Sequence, residues 1–233
     1  MIRRFAVLLL LAGIGAIFAG LLLGYTPDSE LNPTGRFYAD HTAQDIGAAN
    51  IVTAIIVTYR GLDTLGEVTV LFLTAAIVGL VLGWGHRQDG ARQPNRPASG
   101  ELLITGSRLL VPLILLLGVH VFINGHLTPG GGFQGGAILA SAILLLLLTD
   151  PLRSFSHRLI SVVESISGLV FVSIGVLGML LAGGFLDSRI LPAGTPGELF
   201  SAGAIPVIYS FIGLKVGAEF SSMLVNLSES REG

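Results

Sequence analysis

Six apolar runs in this chain are long enough to cross a lipid bilayer, and they constrain its fold more than any other feature. A transmembrane helix needs about 20 mostly apolar residues. The runs predict spans at residues 5–24, 64–84, 102–123, 133–149, 159–182 and 202–225. Charged residues make up only 12% of the chain, about half the share found in soluble domains. We therefore expect an all-α integral membrane protein of about six transmembrane helices.

The first apolar run follows Arg3 and Arg4 and has some features of a secretory signal. Its apolar core is about twice as long as the core of a typical signal peptide, and no small-residue cleavage site follows it. We therefore expect this run to be retained as a transmembrane helix.

Residues 46–59 are apolar but too short to span a bilayer, and charged residues follow them directly. If they continued into the second span, one helix of about 40 residues would result, which is too long for a single crossing. We expect a short interfacial or half-inserted helix that bends near Gly61 and leads into the second span.

The arginines between the spans orient the chain, because cytoplasmic loops carry an excess of Lys and Arg. Most of them lie on the side of the two termini, and the opposite loops hold only two. The first group is Arg3, Arg4, Arg87, Arg92, Arg96, Arg153, Arg158 and Arg231, and the second is Arg36 and Arg189. The asymmetry predicts that both termini are cytoplasmic in a multi-pass protein of the cell inner (cytoplasmic) membrane.

A polar stretch rich in Arg, Gln, Pro and Gly separates the second span from the third. Such composition is typical of a linker. The sequence therefore predicts a two-span module at residues 1–85, a cytoplasmic linker at 86–101 and a four-span domain at 102–233.

A glycine-rich segment, residues 124–136, joins the third and fourth spans, and six of its thirteen residues are Gly. Irregular backbone at membrane depth must be covered by protein or line water. We therefore expect this segment to pack closely against another element or a partner subunit. The residues expected to make that contact are Pro129, Gly130, Gly131, Gly132, Phe133, Gly135 and Gly136.

Several other function classes lack support in the sequence. The chain has no cysteine, and its five histidines show no ligand spacing, so we expect neither a metal site nor a cofactor. The glycine-rich segment lacks the Lys-Ser/Thr ending of a phosphate-binding loop, and a net charge of −2 points to no nucleic acid partner. Ser107 and Ser141 lie in the spans with histidines nearby, but no Gly-x-Ser-x-Gly elbow supports a hydrolase.

Two motifs on either side of the linker resemble proteins of one family. Residues 50–71, NIVTAIIVTYRGLDTLGEVTVL, resemble the C-terminal part of the large A subunit of Mrp-type multisubunit Na+/H+ antiporters. The same module occurs as a small subunit of related membrane-bound hydrogenases. Residues 125–136, GHLTPGGGFQGG, resemble the signature of the Mrp B subunit (MnhB-like), and residues 213–216 fit the last helix of that subunit.

The resemblance covers the chain from about residue 40 onward and implies a fusion of a two-helix A-subunit tail with a four-helix B subunit. It implies a subunit of an antiporter, a hydrogenase or a related respiratory complex. Its partners would be the other membrane subunits, the lipid bilayer, and Na+ and/or H+ as transported ions, with no catalytic role of its own. The alternative from another class is a self-sufficient secondary cation/proton carrier, although no internal repeat of the kind common in such carriers is visible.

Charged residues within the spans are the candidates for an ion path, because each costs roughly 2.5–3.5 kcal/mol on insertion scales and is usually paired or functional. Lys215 is the deepest, and Glu219 lies one turn further along the same face. Arg60, Asp63 and Glu67 would share one face at the start of the second span if the backbone stays helical. In each group, a structural ion pair is the alternative to an ion path.

Three further residues are weaker candidates for the ion path. Glu164 lies at a shallow depth in the fifth span, where its carboxylate would reach interfacial water. His120 and His126 flank the end of the third span, and histidine titrates near neutral pH. The alternative for both histidines is hydrogen bonding that caps the helix end. The resemblance raises the expectation for Glu67, because the matching glutamate is regarded as an ion-path candidate.

The predicted topology is tested by labelling single cysteines, since the chain has no cysteine of its own. We expect Pro129→Cys to react with a membrane-impermeant maleimide added outside the cell, and Pro94→Cys to react only after the membrane is opened. Labelling of Pro94→Cys from outside would contradict the orientation.

Overall fold

The computed structural model describes residues 2–26, 30–85, 100–150 and 153–230, and within these ranges its regular elements are all helical. They are, in chain order, α1 (Ile2–Gly24), α2 (Pro33–Asp45), α3 (Ile51–Ala54), a π-helix (Ile55–Tyr59), α4 (Gly61–Gly85), α5 (Glu101–Ile123), α6 (Gly132–Thr149), α7 (His157–Leu181), a 3-10 turn (Ser188–Ile190) and α8 (Ile205–Ser230).

The six predicted transmembrane helices are confirmed. Helix α1 and helices α4 to α8 are each long and apolar enough to cross a membrane. The boundaries shift slightly: α4 begins at Gly61 and α8 at Ile205, whereas the apolar runs began at residues 64 and 202. Most of the predicted linker, residues 86–99, lies outside the described residues, and the predicted domain boundaries stay a prediction.

The short helix predicted before the second span has two parts, α3 and the π-helix. It begins at Ile51 because the side chain of Asn50 caps it, accepting a hydrogen bond from the Thr53 backbone N–H at 3.4 Å. The helix breaks at Arg60, where φ is −126° and ψ is 39°, one residue before the predicted bend. Helix α2 was not predicted, because its residues are polar and form no apolar run.

The described residues form two compact units, Met1–Phe37 and Tyr38–Gly233. The first unit consists of α1 and the start of α2. In it Arg36 pairs with Glu30 at 3.2 Å on the surface.

Helix α8 is the central element of the second unit. Within the chain, 56% of its apolar window is buried, against 11% for α4 and α5. Helices α4, α5, α6 and α7 all pack against it. Its side chains Ile205, Ile208 and Ile212 are fully buried and form a core with Phe171 of α7 and Val57 of the π-helix. Any charged group on α8 therefore faces protein on most sides.

Small residues bring α6 close to both of its neighbours. A Cβ added at Gly135 would lie 2.7 Å from the carbonyl oxygen of Gly118 in α5, and one added at Gly136 would lie 2.7 Å from that of Gly213 in α8. Glycine is required at these positions because backbone meets backbone, as in other small-residue helix contacts in membranes.

The close approach of α6 and α8 predicts that Gly136→Ala destabilises the protein. The methyl group would displace backbone atoms, and such overpacking costs about 1–3 kcal/mol. The matched control is Gly106→Ala in α5, where an added Cβ meets nothing within 4 Å and helix propensity improves by up to about 1 kcal/mol. Thermal unfolding in detergent should show a lower midpoint for Gly136→Ala only, and equal midpoints would contradict this packing.

Candidate functional site

A buried ion pair lies within α8. The ammonium Nζ of Lys215 donates to Oε1 of Glu219 at 2.7 Å, and the two residues are only 7% and 0% exposed. Lys215 lies ten residues after the start of α8, or about 15 Å along the helix axis, which is near the middle of a bilayer. The structure therefore brings together two of the charged residues that the sequence indicated.

The lysine side chain opens into a cleft between α4 and α7, which both pack on α8. The cleft, called here the lysine cleft, has a volume of about 250 Å³. Its walls are mostly apolar, with the polar side chains of Thr69, Glu164 and Ser165 among them. The full lining is Leu65, Val68, Thr69, Phe72, Glu164, Ser165, Gly168, Leu169, Phe171, Val172 and Lys215.

Two features of the cleft position the ammonium group. Its Nζ lies 5.0 Å from the centre of the Phe72 ring in α4, which is a cation–π contact. On the α7 side, a Cβ added at Gly168 would lie 3.5 Å from Nζ. The lysine side chain therefore lies along the surface of α7, next to the place where Gly168 has no side chain.

Glu164 lies on the cleft wall one turn before Gly168 and is half-buried. Its carboxylate is close enough to Glu219 for the two charges to interact. One oxygen of Glu219, Oε2, is buried and has no hydrogen-bond partner among the described residues. With Lys215 positive and both carboxylates ionised, the three groups carry a net charge of −1.

Arg60, Asp63 and Glu67 lie at the start of α4 and are all exposed within this chain. Arg60 pairs with Asp63 at 2.6 Å, and both side chains are more than half exposed, so in water the pair would contribute little to stability. Glu67 has no hydrogen bond or ion pair among the described residues, and it does not line the lysine cleft. The three residues form a group separate from Lys215.

The glycine-rich segment is held by residues of the same chain. The carbonyl oxygen of Gly125 accepts hydrogen bonds from Thr53 Oγ1 at 2.6 Å and from Asn50 Nδ2 at 2.9 Å. The Tyr209 hydroxyl donates to Thr53 Oγ1 at 3.2 Å. These bonds connect the predicted two-span module with both the segment and α8.

The glycines of this segment differ in what they do. Gly130 has φ of 140°, which favours glycine, and a Cβ there would lie 2.9 Å from Val121. A Cβ at Gly131 or Gly132 would meet Tyr209 or Ile212 of α8 at 3.1 Å or less. Helix α6 begins at Gly132, so four of the predicted contact residues are helical: Gly132, Phe133, Gly135 and Gly136. Of all the predicted contact residues, only Pro129 is exposed. Contact with a partner subunit stays a prediction.

His126 is fully buried at the base of the segment, and its Nε2 lies 3.3 Å from the carbonyl oxygen of Glu198. A carbonyl only accepts, so Nε2 carries the proton of the neutral ring. Burial lowers the pKa of His126 below its ordinary value, although nearby backbone carbonyls favour the charged form. His120 is exposed, and its Nδ1 lies 3.1 Å from Nδ2 of Asn124. Neither histidine lines the lysine cleft.

Sequence reasoning missed Arg108, an exposed arginine about 10 Å from the start of α5 that has no ion pair among the described residues. A charge scan of the third span would have found it.

Sequence reasoning also missed Asp187, which is buried and accepts two hydrogen bonds from Nε of Arg189 at 2.9 and 3.1 Å. These hydrogen bonds lower the pKa of Asp187 despite the opposing effect of burial.

The structure gives no support to a serine hydrolase. The hydroxyls of Ser107 in α5 and Ser141 in α6 donate to the carbonyl oxygens of Ile104 and Ile138 in their own helices. Among the described residues, no group of three or more His, Asp or Glu is placed to hold a metal ion.

Two family models match the chain. Residues 102–222 match the model described as a domain related to the MnhB subunit of Na+/H+ antiporters. Residues 2–94 match the MbhE model, described as the E subunit of MBH. The first match alone covers more than half of the 233 residues.

Solved structures and a curated relative agree with these matches. A chain of the membrane-bound sulfane sulfur reductase, an archaeal respiratory membrane complex, is 39% identical with a TM-score of 0.80, and the match covers 97% of this chain and 98% of that one. A chain of the Mrp complex from Dietzia sp. is 27% identical with a TM-score of 0.73, covering 97% of this chain and 26% of that one. The probable A/B subunit of a K(+)/H(+) antiporter from Rhizobium meliloti is 29% identical over 72% of this chain and 19% of its own length.

The burial of His126 predicts a stability that depends on pH. Because its pKa is lower in the folded protein than the ordinary value of 6.5, the unfolded chain binds more protons just below pH 6.5. The free energy of unfolding should therefore fall as the pH drops below about 6.5.

The measurement is thermal unfolding of the purified protein between pH 5 and pH 8, with two variants compared. We expect His126→Gln to weaken this pH dependence, and His120→Gln, at the exposed histidine, to leave it unchanged. Identical pH profiles for both variants would show that His126 is not the titrating group.

Proposed function

We propose an ion-transport function for this chain, which belongs to the family with a domain related to the MnhB subunit of Na+/H+ antiporters. It is a multi-pass membrane subunit of a cation/proton antiporter-related complex, and its partners are the other membrane subunits of that complex. The names of the matched antiporter subunits describe transport rather than catalysis. We further propose that ions pass through this subunit and that it has no enzymatic activity of its own.

The observation that carries this proposal is that Lys215, which is paired with the buried Glu219, lines the lysine cleft. A structural ion pair needs full coverage, because exposure of either charge to lipid is costly. Here the ammonium opens into a cleft of about 250 Å³ that contains a second carboxylate, Glu164. That volume is enough for several water molecules, each of which occupies about 30 Å³ in the liquid.

The chemistry of the pair suits proton transfer. The Nζ of Lys215 lies 2.7 Å from Oε1 of Glu219, which is close enough for a proton to pass directly between the two groups. Transfer of a proton from Lys215 to Glu219 leaves the net charge of the pair at zero, so only the exchange of a proton with water changes the net charge that the pair presents to a cation.

We propose a secondary role in ion transport for five other candidates. They are Arg60, Asp63, Glu67, His120 and His126. They lie near the start of α4 or near the glycine-rich segment between α5 and α6, and hydrogen bonds from Asn50 and Thr53 to Gly125 connect these two regions. The exposed carboxylate of Glu67, which has no ion pair among the described residues, would attract cations to this part of the subunit. The hydrogen bonds from Asn50 and Thr53 to Gly125 are consistent with the proposed fusion, because they join residues of the first module to residues of the second.

A specific observation favours a respiratory host complex over a stand-alone antiporter. The match to the sulfane sulfur reductase covers 98% of the matching chain, whereas the match to the Mrp complex covers 26% of a much longer one. We therefore propose that the host complex resembles the respiratory complex, in which a chain of this length is a separate subunit, rather than the Mrp complex, in which the matching region is part of a longer chain. Co-purification with a redox subunit supports this assignment, and an active single chain would instead support a self-sufficient carrier.

The proposed path predicts the effects of neutral replacements at the ion pair. Lys215→Met alone should reduce the amount of assembled complex, because an unpartnered buried charge costs roughly 3–5 kcal/mol. The double variant Lys215→Met, Glu219→Gln removes both charges and should assemble. If the pair serves transport, this complex should show at least tenfold slower Na+-dependent proton flux in everted vesicles.

The matched control is a double variant at the surface pair of His157 and Glu229, which lie 2.8 Å apart and are about half exposed. His157→Gln, Glu229→Gln should leave both assembly and flux unchanged. Normal flux in complexes that carry the Lys215→Met, Glu219→Gln variant would mean that the pair is structural.

A further inference from the structure

One carboxylate, Glu164, and one ammonium, Lys215, line the lysine cleft, and a second carboxylate, Glu219, is buried beside Lys215. Lys215 is hydrogen-bonded to Glu219, and this leaves Glu164 as a carboxylate on the cleft wall without a positive partner among the described residues. The neighbouring hydroxyl of Ser165 lines the same cleft. A carboxylate, a hydroxyl and water are the oxygen ligands that a hard cation prefers.

Two carboxylates lie near the ammonium of Lys215: Glu219, to which it is hydrogen-bonded, and Glu164, which lines the same cleft. The Nζ of Lys215 lies against α7 beside Gly168, and Glu164 lies one helical turn away on the same helix. The four residues from Glu164 to Gly168 correspond to an axial distance of about 6 Å. Because Gly168 has no side chain, the lysine side chain can lie along the surface of α7 between Gly168 and Glu164.

We propose that Glu164 binds a monovalent cation in the lysine cleft and that Lys215 competes with this cation for the Glu164 carboxylate. When Lys215 is paired with Glu219, Glu164 is free to bind the cation. When the ammonium turns to Glu164, it displaces the cation, and the vacated Glu219 takes up a proton from water. This inference rests on the proposed transport function and assigns the cation to a particular carboxylate.

Competition for Glu164 gives the lysine at position 215 a role in the cleft. A tethered ammonium and a free cation of the same charge exclude each other from one carboxylate, so binding of the cation and protonation of Glu219 become coupled. Such coupling is reciprocal: a cation at Glu164 favours the Lys215–Glu219 pair to the same extent that the pair favours the cation.

The test measures cation binding rather than transport. The complex is purified through a tag on the full-length chain, and its thermal stability is followed as NaCl or KCl replaces choline chloride at constant ionic strength. A ligand that binds the folded state raises the midpoint in a concentration-dependent way. We expect stabilisation by Na+ or K+ that Glu164→Gln abolishes.

The competition itself is tested by removing the competitor. The double variant Lys215→Met, Glu219→Gln, which keeps the cleft neutral apart from Glu164, should need about tenfold less cation for half-maximal stabilisation, within the range of typical coupled sites. The control Glu101→Gln, an exposed carboxylate in the first turn of α5, should behave like the wild type. If the cation raises the thermal midpoint only in the double variant, the result also supports the inference, because Lys215 then occupies Glu164 in the wild type and keeps the cation out.

Three results would overturn the inference. One is an unchanged cation effect in Glu164→Gln, another is an unchanged or weaker effect in the double variant, and the third is no cation effect in either the wild type or the double variant. Because these measurements do not involve flux, they are separate from the transport test. Normal flux in the double variant with the expected cation binding would contradict the proposed transport role of the pair but leave cation binding at Glu164 intact.

Discussion

The ion pair of Lys215 with Glu219 imposes the constraint around which the second unit is arranged. Both groups lie about halfway along a transmembrane helix and are almost completely buried, where an unpaired charge would be costly. Helix α8 can carry them only if neighbouring helices cover it on most sides. Four helices do so, and the glycines of α6 and α8 allow one of them to approach to backbone contact.

Coverage of the pair is incomplete on one side, and this is the origin of the candidate site. Helices α4 and α7 both pack on α8, with the lysine cleft between them. The aromatic face of Phe72 and the bare surface at Gly168 give the ammonium a polarisable neighbour and room to move. Glu164 then supplies a second carboxylate on the cleft wall. A purely structural pair would need neither the open space nor the additional charge.

Much of this fold follows from the sequence because bilayer thickness and backbone hydrogen bonding leave few choices for a long apolar run. The six spans, the break before α4 and the depth of Lys215 all follow from that constraint. Helix α2 does not, because its polar residues give no apolar signal. The linear order of residues also does not reveal that Glu164 shares a cleft with Lys215 while Glu67 lies outside it. That arrangement depends on the rotation of α4 and α7 about their axes, which is set by core packing at positions such as Val68 and Phe171.

The central claim is that the lysine cleft holds water and ions rather than lipid. It is tested most directly by the accessibility of a single cysteine at Ser165, on the cleft wall, compared with one at Ile166, which is 54% exposed within this chain. Our account predicts that Ser165→Cys in the assembled complex reacts with a small, charged methanethiosulfonate reagent, that Na+ slows the reaction, and that Ile166→Cys does not react. A Ser165→Cys complex that reacts only with a lipid-soluble maleimide would contradict it.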